Sequence, residues 1–70
     1  NPSEKKFYLC EIRKNLNRRY KIGKRIKDIV TIQDTLQKLR FIYYNYGSNK
    51  SVERIDLLIE IWNTKISETN

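Results

Sequence analysis

From Ser3 to the C-terminus only Gly23 and Gly47 readily interrupt a helix, and the chain's one proline is Pro2. Elsewhere the apolar residues recur three and four apart, the period of one helix face and not of a strand. Two breaks in 70 residues divide the chain into three amphipathic segments. A length of this order makes one domain with one small core.

In the first segment Leu9, Ile12, Leu16 and Tyr20 form one stripe, widened at its start by Phe7, Tyr8 and Cys10. Ser3 suits the N-cap, Glu4 suits the positive helix end, and Gly23 suits a left-handed terminating residue. A helix is therefore expected over 4–21. Next, Ile22, Ile26, Ile29, Ile32, Leu36, Leu39, Ile42 or Tyr43, and Tyr46 carry the period onward and predict a second helix over 24–46. Thr31 with Asp34 imitates a capping box, so a break near Thr31 would make four helices of three. Residues 46–49 read as a turn. Val52, Ile55, Ile59, Trp62 and Ile66 then define the last helix, with Ser51 as its expected cap. Leu57 and Ile61 lie off that stripe. The expected fold class is all-α, a small three-helix bundle around Leu9, Leu16, Ile29, Leu36, Leu39, Ile55, Ile59 and Trp62. Residues 1–70 read as a single helical domain. The Asn-Pro start and the lack of Met suggest a fragment of a larger protein.

Several function classes find no support. The chain has no His, which removes histidine-dependent catalysis and Cys/His zinc sites. With two glycines 24 residues apart there is no Gly-rich phosphate loop. Cys10 sits in the first apolar stripe without a base to activate it, reads as a small core residue, and as a lone thiol fits a reducing intracellular compartment. No apolar run approaches the roughly 20 residues of a membrane span, and nothing resembles a signal peptide. The expectation is no enzyme, no cofactor, no metal and no membrane partner.

Charge is more informative. The chain carries 15 Lys plus Arg against 8 Asp plus Glu, a net of +7. Residues 1–30 hold 10 basic and 3 acidic side chains, whereas residues 31–70 hold 5 of each. The richness in Lys, Ile and Asn fits AT-rich codon usage, but codon usage does not sort charge by position. Arg13, Lys14, Arg18, Arg19, Lys21, Lys24, Arg25 and Lys27 follow one another with no acid between them. Three readings stand: a solvated helix face, a surface for nucleic-acid phosphates, or a nuclear-import signal. The aromatic cluster Phe41, Tyr43, Tyr44 and Tyr46 cannot all face inward, since consecutive helical residues point about 100° apart. Its exposed members suit protein recognition or base stacking.

The segment TLQKLRFIYYNYGSNKSVERIDLLIEIWNTKI resembles the end of the TFIIS N-terminal domain and of the related LEDGF-type integrase-binding domain. Leu36, Leu39 and Arg40 match an apolar-x-x-Leu-Arg element. Val52, Leu58 or Ile59, and Trp62 match the closing helix. KRIKDIVTIQDTL and EIRKNL are similar to earlier parts of the same families. The chain departs from them in having about one helix fewer, and in Ile55 or Asp56 where a small Ala is expected. The resemblance implies a nuclear interaction module linked to transcription or chromatin, docking acidic–aromatic peptides at inter-helix loops. By position, Ile22 in the first loop and Tyr44 and Tyr46 in the second would dock the peptide. Arg13, Lys14, Arg18 and Arg19 would meet acidic partners.

The expected function is thus a non-enzymatic helical protein–protein interaction module with a basic first helix. The alternatives are a small nucleic-acid-binding domain using helix one and a Gly23 loop, or a helical assembly domain. The oligomeric state stays open at this point.

Overall fold

The computed structural model describes residues 2–69 and the side chains of residues 3–68. It is a three-helix bundle: α1 spans Pro2–Ile26, α2 Ile29–Tyr46 and α3 Asn49–Thr69. The bundle is thin, with principal extents of 48 × 24 × 12 Å. The central element is α2, which packs against both neighbours, while the backbones of α1 and α3 stay more than 8 Å apart between Cα atoms among the described residues.

The core forms where α2 meets its two neighbours. Ile32, Leu36 and Leu39 from α2 are fully enclosed with Leu16 of α1 and Ile55 of α3. Burying one such aliphatic side chain stabilises the fold by about 1.5–3 kcal/mol. Of the other core residues expected from spacing, Ile29, Ile59 and Trp62 pack against this cluster but stay partly exposed, and Leu9 is half-buried. A thin bundle has too little depth to enclose them. Thr35, also buried, satisfies its hydroxyl by donating to the Thr31 carbonyl at 2.6 Å.

The helix boundaries differ from the sequence reading, and each difference has a local cause. α1 does not stop before Gly23 but runs to Ile26, so Ile22 and Ile26 belong to α1 and not to the middle helix. Gly23 is buried and has no positive φ. Its role is close approach: a Cβ built there would stand 3.1 Å from Ile32 Cγ1. The terminating residue is Lys27, at φ 58°. The Asp28 amide donates to the Gly23 carbonyl at 2.9 Å and the Lys27 amide to the Lys24 carbonyl at 3.4 Å. That pair of bonds is a Schellman cap, which satisfies carbonyls the helix end would leave bare.

One residue later Asp28 caps α2. Its carboxylate accepts from the Thr31 hydroxyl at 2.7 Å and the Thr31 amide at 3.3 Å. Thr31 is therefore the third residue of α2, and no break occurs there. At the far end the Gly47 amide donates to the Tyr43 carbonyl at 2.9 Å. Ser48, not Ser51, caps α3, because the Ser51 amide donates to Ser48 Oγ at 3.2 Å. Ser3 lies inside the first turn of α1 and not before it.

Candidate functional site: a basic-rimmed cleft and an uncovered basic stripe

Rotation along α1 sorts its basic residues by direction, 100° per residue. Lys14, Arg18, Lys21 and Arg25, spaced four, three and four apart, share the solvent face. Their one carboxylate contact among the described residues is Lys14 with Glu11 at 3.7 Å. Arg13 and Lys24 lie on the flank turned toward α3, where Lys24 Nζ sits 4.7 Å from the Tyr20 ring centroid. Arg19 lies on the opposite flank, beside α2. Lys27 occupies the left-handed cap. The eight basic residues from Arg13 to Lys27 thus divide into one stripe and four outliers, and no Gly23 loop exists to accompany them.

Where α1 meets the α2–α3 turn, a cleft of about 440 Å³ opens. Its apolar floor is Leu9, Ile42, Tyr43 and Tyr46, and Lys6, Cys10 and Arg13 line it from α1. Ser48 and Ser51 close the third side, with their hydroxyls 3.1 Å apart. Among the described residues no carboxylate lies within ion-pair distance of Lys6 or Arg13; the Arg13 guanidinium donates to Cys10 Sγ at 3.8 Å. Lys5 Nζ lies 4.9 Å from the Tyr46 ring centroid. An apolar floor beside two unneutralised cations suits a ligand with apolar and acidic groups together.

The three residues expected to dock a peptide do not converge. Tyr46 lies in the cleft floor. Tyr44, 71% exposed, stands beside Arg40 on the side of α3, with Arg40 Cζ 5.9 Å from its ring centroid. Ile22 lies within α1, near the α1–α2 turn, and not in a loop. Since Ile22 follows Arg13, the last cleft residue of α1, by nine residues on one helix, about 14 Å of helix axis separates it from the cleft. Arg40 holds the bundle together: its Nε donates to Asp56 Oδ1 at 2.6 Å, tying α2 to α3. That hydrogen bond and the carboxylate charge raise the guanidinium pKa above its ordinary value.

Lys6, Ser48 and Ser51 were not anticipated as site residues. Lys6, Cys10 and Arg13, at spacings of four and three, do share one face of α1. What hid them is that the α2–α3 turn folds back over that face. Among the described residues no group of His, Cys, Asp or Glu is placed to hold a metal, and no helix is long and apolar enough to cross a membrane.

The chain matches no protein-family model, no curated protein and no solved structure.

Proposed function

We propose that this chain is a non-enzymatic helical protein-interaction module that takes an acidic segment with an apolar anchor into the cleft between α1 and the α2–α3 turn. The observation that carries the reading is the pair Lys6 and Arg13, without carboxylate partners among the described residues, beside the apolar floor of Leu9, Ile42, Tyr43 and Tyr46. Cations already standing at the rim steer an acidic ligand and fix its register. The apolar floor supplies the area that leaves water. The nuclear, transcription- or chromatin-linked setting implied by the family resemblance belongs to the same proposal.

A second reading, nucleic-acid binding, is favoured by one separate observation. Lys14, Arg18, Lys21 and Arg25 share one exposed helix face, and such a row can neutralise successive phosphates and release counterions.

Two variants separate the readings. Lys6→Glu/Arg13→Glu alters the cleft, and Arg18→Glu/Lys21→Glu alters the stripe. Each is titrated with acidic peptides carrying one Phe or Leu and with a duplex oligonucleotide. Peptide binding reduced about tenfold or more by the cleft variant, and little by the stripe variant, supports the module. DNA binding lost only in the stripe variant, and falling on the order of 10³-fold between about 50 and 200 mM salt, selects the nucleic-acid reading.

A further inference from the structure

A second face of the molecule, which borders the cleft at Leu9, Ile42 and Tyr46, carries an inference that does not rest on what the cleft binds. On the outer side of the α1–α2 pair, away from α3, a shallow groove runs between the two helices. At the turn end it is lined by Ile22, Ile26 and Val30, and at the other end by Ile12 and Phe41. These five are exposed, Val30 by 75% and Phe41 by 66%. Between the two apolar ends stand Arg19 on the α1 wall, and Asp34 and Lys38 on the α2 wall. Asp34 accepts from Lys38 at 2.9 Å, while Arg19 has no carboxylate within 4 Å among the described residues.

We infer that this face pairs with the same face of a second copy, forming a two-fold symmetric dimer in which α1 of each chain lies over α2 of the other. Three observations select a second copy as the occupant. First, the groove is self-complementary. A two-fold axis along the helices exchanges its walls, so that Ile22 and Ile26 meet the other copy's Val30, and Ile12 meets its Phe41. The same exchange brings Arg19 opposite Asp34 of the other copy, twice per dimer, as an isologous interface requires.

Second, charge permits it. A chain of net charge +7 repels itself, yet this face holds only two cations and one carboxylate. The stripe of Lys14, Arg18, Lys21 and Arg25 points elsewhere. An acidic partner would find its charge complement on that stripe or at the cleft and not here. Third, area suffices. Each partner of a standard interface contributes on the order of 800 Å². Five large apolar side chains exposed by 46–75%, with Arg19, Asp34, Gln37 and Lys38 around them, supply surface of that order.

The test is sedimentation equilibrium of the 70-residue chain across micromolar to millimolar concentration, with helicity followed by circular dichroism. Wild type is expected to dimerise. Val30→Glu/Phe41→Glu is expected to be monomeric at unchanged helicity, since both side chains are exposed. Arg19→Asp and Asp34→Arg are each expected to weaken dimerisation about tenfold or more, through like charges brought face to face. The double exchange Arg19→Asp/Asp34→Arg is expected to restore it. A wild-type chain monomeric throughout, a dimer that survives Val30→Glu/Phe41→Glu, or a double exchange as weak as the single variants would overturn the inference.

Discussion

Trp62 Nε1 donates to Tyr20 Oη at 3.1 Å, a bond that joins α3 to α1 over the edge of α2. The two residues are 42 apart in sequence, and the helices that carry them make no backbone approach. The indole ring also receives Lys65, whose Nζ lies 4.6 Å from its centroid. Half-buried and hydrogen-bonded, Trp62 acts as a strap across the bundle.

The strap can be removed in two parts. Tyr20→Phe deletes only the acceptor and should cost about 1 kcal/mol. Trp62→Ala also removes the ring that packs against the core cluster, and should cost about 3 kcal/mol. Urea denaturation followed by circular dichroism measures both. Equal losses in the two variants would mean that the ring contributes nothing beyond its hydrogen bond.

The two glycines should respond differently to Ala. At Gly23 the added methyl meets side-chain atoms, Ile32 Cγ1 at 3.1 Å and Thr31 Cγ2 at 3.3 Å. The helix-interior gain of about 1 kcal/mol offsets this crowding, so Gly23→Ala should leave stability within about 1 kcal/mol of wild type. At Gly47 the methyl meets the Tyr43 backbone, with Cα and O both at 3.0 Å. Backbone yields less readily than a side chain, and Gly47→Ala should lower stability by about 1–3 kcal/mol. Paired thermal melts decide the order.

Lys27 holds a left-handed conformation that glycine adopts without steric cost. Lys27→Gly should therefore stabilise the chain by about 1 kcal/mol. The expected signature is a higher denaturation midpoint at an unchanged slope.

The apolar stripes are legible because burial forces the helical period, and Leu36, Leu39, Ile55 and Trp62 fall where spacing puts them. The end of α1 is not legible. Gly23 is the stronger terminator by residue type, yet it serves close packing against Ile32, a role visible only once two helices are in register. Lys27 leaves no compositional mark. Asp28 does leave one, an N-cap residue type three before Thr31, but the continuing Ile26–Ile29–Ile32 spacing masks it. Likewise, basic residues along α1 are plain in the sequence, but which of them share a face with Tyr46 depends on how the α2–α3 turn folds back.

Asp28 also sets a pH dependence. Hydrogen bonds from the Thr31 hydroxyl and then the Thr31 amide hold its carboxyl below the ordinary value. The unfolded chain binds that proton first as pH falls, so the cap's contribution is complete above about pH 4 and is lost as pH drops through the lower folded value. The melting temperature should decline on acidification below about pH 4. Asp28→Ala should begin less stable and decline less over the same range. Parallel pH slopes for the two proteins would refute this assignment.

The placement of α2 between its neighbours has a kinetic consequence. Each pairing joins segments adjacent in the chain, through the short links at Lys27–Asp28 and Gly47–Ser48. Little loop entropy is spent before contacts form, and such local topologies fold in microseconds to milliseconds. Assembly is two helical hairpins growing on one shared helix, either of which can open while the other stays closed. Amides of α2 should then be the last to exchange with solvent, and those at the outer ends of α1 and α3 the first.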